Sequence, residues 1–212
     1  GQDLPSLLAG TTGVAVPTLA LALGMLLGLA LLGWVLSRPE GRSGEVWLGG
    51  VGIGLVIAGV WYCSGVLGHV AEDPATLEEA FLATNSRRME SLSMVAPVAY
   101  TLDWLMFFSD QSKRLTLGIV SVVGIVLGSA LAATLGHSFR WEGFGGTEDV
   151  ANHLAGGLLM GVGGVTALGC TIGQGISGVS TLSLGSFIAL AGIVAGAVLA
   201  LRYQGWRLDR SV

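Results

Sequence analysis

The run VAVPTLALALGMLLGLALLGWVL, Val14 to Leu36, carries no charged side chain from end to end. At 1.5 Å per residue a helix of this length reaches roughly 34 Å, enough to cross a hydrocarbon core about 30 Å thick. Pro17 falls in its first turn, where a missing N–H costs little. Trp34 stands near the other end, where an interfacial aromatic belongs. The polar stretch Arg38 to Glu45 closes it, and the sequence resumes the same style at Val46.

Four further segments read as membrane-embedded. Val46 to Gly68 has Trp47, Trp61 and Tyr62 near its ends. A polar stretch from His69 to Glu90 follows, in which Asp73-Pro74 with Leu77, Ala80 and Phe81 predicts a short amphipathic helix at the interface. Glu90 to Phe108 is short, holds Pro97 and Asp103, and suits a broken or protein-buried helix better than a lipid-facing one. Leu115 to Leu135 is a clean span after Lys113 and Arg114. Val150 to Leu201 has length for two spans but is interrupted at LGCTIGQGISG, Leu168 to Gly178. The expected fold is therefore all-α: a polytopic transmembrane helical bundle of five or six embedded segments, with a Gly-rich re-entrant-type loop near its C-terminal end.

Composition agrees. Charged residues make up 11% of 212 and hydrophobic residues 52%, and the mean hydropathy is +0.74. Soluble domains carry roughly 25% charge, because water must be met by a polar surface. The 35 glycines sit among Leu, Val, Ile and Ala, which argues against a disordered low-complexity segment. Several recur at i, i+4: Gly24/Gly28, Gly50/Gly54, Gly124/Gly128, Gly157/Gly161 and Gly192/Gly196. In lipid such pairs allow helix backbones to approach closely, so they are expected at helix–helix contacts. A net charge of −4 gives no nucleic-acid surface. His137 and His153 form no zinc spacing with Cys63 or Cys170, so neither metal nor cofactor is expected.

The interruption carries the chemistry. In GGLLMGVGGVTALGCTIGQGISGVSTLS, Gly156 to Ser183, a helix arrives through Gly161, Gly163 and Gly164, and Gly169-Cys170-Thr171-Ile172-Gly173-Gln174-Gly175 breaks the apolar pattern. Glycine weakens a helix by about 1 kcal/mol relative to Ala and tolerates unwound backbone. Non-helical backbone at membrane depth survives only where protein or trapped water satisfies it. A break beside a helix N-terminus exposes N–H groups and the positive dipole end, which suit an anion. Cys170 would then stand at the rim of an anion-binding concavity. The alternative is a tight helix–helix turn around an inert Cys. Thr171, Gln174 and Ser177 favour the concavity, since hydrocarbon would leave them unpaired at several kcal/mol.

The stretch GGLLMGVGGVTALGCTIGQGISGVSTLSLGSFIALAGIVAGAVLALRY, 156–203, resembles the closing signature of the YeeE/YedE family of thiosulfate and sulfur transport membrane proteins. ESLSMVAPVAYTL, 90–102, and FRWEGFGGTEDVANHLAGGLLMG, 139–161, are similar to the stretches that precede that signature, so the likeness covers about residues 90–203. The resemblance implies uptake of thiosulfate, or a related sulfur-containing anion, across the bacterial inner membrane along cysteine thiols, without a covalent product. It matches Cys170 to the family's loop cysteine and Gly169, Thr171, Gly173, Gln174 and Gly175 to its surroundings. Ser177 and Thr171 would add hydrogen bonds. Cys63, in WYCSG, falls in no family motif and is expected to be a packing residue.

Family members are generally longer, with a second cysteine-bearing loop in an N-terminal half. The chain is accordingly expected to be a single transmembrane domain over 1–212, the C-terminal part of a longer transporter, or to work with a second subunit or a second copy. Two other readings stand beside uptake. One is a membrane-bound thiol protein that accepts sulfane sulfur on Cys170 as a persulfide, for which the neighbouring sequence offers no acid or base. The other is a non-transporting partner subunit. Glu90 and Ser91 are expected to cap the helix that follows them. Asp103, His153, Arg140 and Arg87/Arg88 read more readily as interfacial, packing or solvated groups than as functional ones.

Overall fold

The computed structural model describes residues 3–73, 77–110 and 114–210. In chain order it contains α1 (Leu4–Thr12), α2 (Val16–Leu36), α3 (Gly44–Tyr62), the short strands β1 (His69–Val70) and β2 (Ala80–Phe81), then α4 (Val95–Met106), α5 (Leu117–Leu135), α6 (Thr147–Thr166) and α7 (Leu184–Asp209). Among the described residues, four stretches are long and apolar enough to cross a membrane: Val16–Leu36, Gly44–Leu67, Leu117–Leu135 and Leu184–Arg207. The fold is all-α and polytopic, as composition required. Leucines on these helices lie open, such as Leu29 at 68% and Leu48 at 79% exposed. Charge-free helices with open leucine faces have hydrocarbon as their natural solvent.

The chain forms two compact units, 1–52 with 174–212, and 53–173. In the first, the Asp3 carboxylate caps α1 by accepting from the Ser6 N–H at 3.2 Å and from its hydroxyl. Gly13, at φ +70°, ends α1 and turns the chain into α2. Arg42 Nε donates to the Leu36 carbonyl at 2.9 Å, so a cation satisfies the C-terminal end of α2. The Leu4 N–H donates to the Leu182 carbonyl at 3.0 Å and Asp3 pairs with Ser183, which ties the first residues to the turn before α7.

In the second unit, α4 packs against α5 and α6. Gly118 of α5 lies under Pro97 of α4, where an added Cβ would meet Pro97 Cγ at 3.3 Å. Ile119 beside it is 2% exposed. Pro97 falls in the first turn of α4, where it removes no helical hydrogen bond. With 12 residues α4 is only about 18 Å long, short of a bilayer core. The preceding segment, 89–94, is not helical. There the Ser64 hydroxyl donates to the Glu90 carbonyl and the Ser91 hydroxyl donates to the Ile57 carbonyl at 3.1 Å. Glu90 and Ser91 therefore do not cap α4. They hold the segment against the end of α3.

Two other expectations are corrected. The amphipathic pattern around Asp73 forms a hairpin instead of a helix, with His69 opposite Phe81 and Val70 opposite Ala80; Pro74 lies outside the described residues. The Asp73 N–H donates to the Glu78 carbonyl at 2.9 Å and Leu77 takes φ +57°, a value no right-handed helix accepts. The glycine pairs at i, i+4 are not contacts inside their units. A Cβ at Gly24, Gly28, Gly50, Gly54, Gly124, Gly128, Gly157, Gly161, Gly192 or Gly196 would meet nothing within 4 Å. Glycine spacing states what a helix permits, not what approaches it.

Candidate functional site around Cys170

The helix α6 ends at Thr166 in a Schellman arrangement: the Gly169 N–H donates to the Gly164 carbonyl at 2.8 Å and the Leu168 N–H to the Val165 carbonyl at 3.2 Å. Leu168 occupies the left-handed position at φ +54°, where glycine is usual. The backbone leaves the helix only over 167–170. It rewinds at Thr171 and stays helical to residue 180, with the wider π spacing over Gly173–Gly178. A second turn, with Leu182 at φ +57°, leads into α7.

The unwound stretch expected over Leu168 to Gly178 is thus narrower than its glycines suggested. A rewound helix pairs its own N–H and C=O groups, which a bilayer demands of any segment. Glycine tolerates that helix without forbidding it. Among the described residues no buried side-chain nitrogen or oxygen lacks a hydrogen-bond partner.

Cys170, a free and half-buried thiol, occupies the break. The backbone N–H groups of Ile172 and Gly173, from the rewound stretch, and of Met94 and Val95, from the start of α4, lie about its sulfur. The first N–H groups of any helix lack an intrahelical acceptor. Met94, at the N-cap of α4, makes no side-chain capping bond, and the thiol lies beside the N–H groups of Met94 and Val95 there. Two helix beginnings meet at one sulfur.

The neighbours are held by close approach. A Cβ on Gly164 of α6 would lie 2.6 Å from Val95 Cγ2, so only glycine lets α6 press this closely on the start of α4. A Cβ on Gly173 would lie 2.8 Å from Ser93 Oγ. Within the other unit, Gln174 is half-buried and its Oε1 accepts from the Ser186 hydroxyl at 2.6 Å. Gly175 is half-buried, Ser177 is 5% exposed, and Thr171 is exposed.

Met94 and Val95 are the contributors that sequence reading missed. Met94 and Val95 act through the backbone, which leaves no trace in residue type. Cys63 opens a second π turn, Cys63–Leu67, as a half-buried free thiol. His153 stays local to α6: its Nδ1 lies 2.8 Å from the Asp149 carbonyl, and its ring stands edge-on to Phe144 at 5.2 Å. Arg87 pairs with Asp73 at 3.3 Å. Among the described residues no cluster of His, Cys, Asp and Glu could hold a metal ion.

Comparison with known proteins gives one family match, described as sulphur transport, over residues 34–199. The thiosulfate transporter TsuA of Spirochaeta thermophila is 38% identical over 77 residues, which cover 36% of this chain and 23% of that protein. TsuA of Escherichia coli K12 is 30% identical over 115 residues, 54% of this chain and 32% of that protein. The matched stretches thus span only 23% and 32% of the length of these curated relatives. No solved structure matches.

Proposed function

Because this chain belongs to the sulphur transport family, we propose that it forms the C-terminal part of a pathway that takes thiosulfate, or a related sulfur-containing anion, across a bacterial inner membrane. Cys170 is the residue that meets the substrate's sulfur. What supports this reading is that the free thiol of Cys170 stands in the break between α6 and the rewound stretch, beside the start of α4. Amide donors withdraw electron density from the sulfur they bond. The S–H on the other side then becomes a stronger donor to an incoming anion. Such a contact is a hydrogen bond, so the substrate passes on unchanged and no acid or base is required.

The rest of the setting suits an anion as well. Helix beginnings carry partial positive charge within the first turn, and two of them point at the same place. Interrupted helices whose N-termini face an anionic group are a common way to build transporter sites. Gly169, Gly173 and Gly175 shape the backbone around the thiol, and Thr171, Gln174 and Ser177 supply polar groups along the rewound stretch. The remainder of the pathway comes from a longer polypeptide, a second subunit or a second copy of the chain.

The test is growth on thiosulfate as sole sulfur source. Cys170→Ala should abolish it while the protein still inserts in the membrane at normal levels. Undiminished growth of that variant would refute the role given to the thiol.

A further inference from the structure

The helix α7 runs on past its apolar stretch. From Leu184 to Leu201 it carries no charged side chain, and Arg202 is the first. A helix over that stretch reaches about 27 Å, so Arg202 stands where a hydrocarbon core of about 30 Å gives way to headgroups. The helix continues to Asp209, through the layer in which lipid phosphates lie. Arg202, Trp206 and Arg210 recur at i, i+4 and i+8, which places them one above another on one exposed face. Arg210 is folded back one turn towards Arg202: its guanidinium carbon lies 4.0 Å from the centre of the Trp206 ring. The Tyr203 ring stands beside Trp206, 6.0 Å between centres.

The helix dipole accounts for arginines in the last turn, because it favours a cation there. It does not account for Arg202, two turns earlier. A guanidinium at the edge of hydrocarbon is costly without an anion beside it, and among the described residues neither Arg202 nor Arg210 forms an ion pair. Residues 202–210 hold three arginines against one carboxylate, Asp209, so the stretch is positively charged. The end of α2 shows the contrast. Arg38 also lies over a tryptophan one turn back, Trp34, at 5.9 Å. Ala30, however, stands where α7 has Arg202, and Arg42 is drawn to the Leu36 carbonyl. Only the α7 face brings two arginines to one ring.

We propose that Arg202, Trp206 and Arg210 form a binding site for the headgroup of an anionic phospholipid, its phosphate between the two guanidinium groups and its glycerol against the indole. Arginine suits phosphate because its planar fork of donors matches the phosphate oxygens. The site belongs to α7 alone and needs nothing from Cys170.

The test is thermal unfolding of the purified full-length protein in a neutral detergent, titrated with phosphatidylglycerol or with phosphatidylcholine of the same acyl chains. A ligand of the folded state raises the unfolding temperature as its concentration rises. Phosphatidylglycerol should do so at lower concentration than phosphatidylcholine. Arg202→Gln and Arg210→Gln should each raise the half-maximal phosphatidylglycerol concentration about fivefold, and the double variant about 30-fold, with the response to phosphatidylcholine unchanged. Glycerol 3-phosphate, which has the phosphate without the chains, should give no shift at these concentrations. If the double variant cannot be purified, the single variants are scored by the same criteria. Equal half-maximal concentrations of the two lipids in the unaltered protein would show an ordinary interfacial belt and overturn the site. An undiminished preference for phosphatidylglycerol in the arginine variants, or an equal shift from glycerol 3-phosphate, would overturn it as well.

Discussion

Adding one methyl group at Gly164 should weaken substrate affinity, whereas adding it one residue earlier should not. A Cβ on Gly164 would stand 2.6 Å from Val95 Cγ2 and 3.2 Å from both Val95 Cβ and Cγ1. Carbon atoms rest about 3.5–4.0 Å apart, so the start of α4 must retreat by about 1 Å. Val95 cannot rotate clear, because a β-branched side chain has one strongly preferred rotamer in a helix. The retreat carries away the Val95 and Met94 N–H groups, two of the four that lie about Cys170. A hydrogen bond between neutral groups is worth about 0.5–1.5 kcal/mol net. Weakening two of them by about half removes about one such bond, or about a 2- to 10-fold rise in KM for an anion met by that thiol. Overpacking adds about 1–3 kcal/mol of destabilisation.

At Gly163 an added Cβ would meet nothing within 4 Å, and Ala is favoured over Gly in a helix by about 1 kcal/mol. Gly163→Ala should therefore be neutral or mildly stabilising. The assay is the uptake KM of both variants, together with thermal unfolding in detergent. Equal behaviour of the two variants would refute the idea that α6 sets the position of the amides around Cys170.

The two left-handed leucines separate strain from packing. Leu168 is 89% exposed at φ +54°, so Leu168→Gly should raise the unfolding temperature by relieving about 1–2 kcal/mol of backbone strain. Leu182 is 6% exposed at φ +57°, so Leu182→Gly should lower it, because the lost buried side chain outweighs the same relief. At the N-terminus, hydrogen bonds from Ser6 hold the Asp3 carboxyl below its ordinary value of 3.8. The cap thus contributes fully above that value and is lost as pH falls through the depressed one. Protection of the Ser6 amide, measured against its intrinsic exchange rate, should fall on acidification below about pH 4, and it should be low at all pH values in Asp3→Ala.

Helices were legible wherever lipid exposure is written in composition. The span expected from Val14 to Leu36 appears as Val16–Leu36, because a charge-free run long enough to cross the core has no competing structure. The start of the interruption, at Leu168, was legible for a related reason: Thr171, Gln174 and Ser177 cannot face hydrocarbon unpaired. Its end was not. Gly173 and Gly175 allow unwinding, but the backbone's need for its own hydrogen bonds rewinds the chain through them. The hairpin at His69–Val70 and Ala80–Phe81 was hidden because strands of two residues have no periodicity to read. Half of the amides around Cys170 were hidden because every residue except proline carries the same N–H.

On the proposed reading, the direction of the break would make its charge preference one-sided. An interrupted helix normally exposes acceptors where it stops and donors where it restarts, a pattern that favours neither ion sign. Here the stopping end satisfies itself. The Gly163 carbonyl accepts from Ala167, Gly164 from Gly169 and Val165 from Leu168, at 2.9, 2.8 and 3.2 Å. At the restarting end, Ile172 and Gly173 have no helical acceptor before them and turn to Cys170. The left-handed turn at Leu168 makes this asymmetry, since it folds the last carbonyls of α6 back onto the N–H groups that follow. Three of the last carbonyls of α6 are thus closed off at the break. On the reading proposed above, that leaves the N–H groups of the restarting end to set the preference for an anion, and the left-handed Leu168 serves that preference as well as the turn.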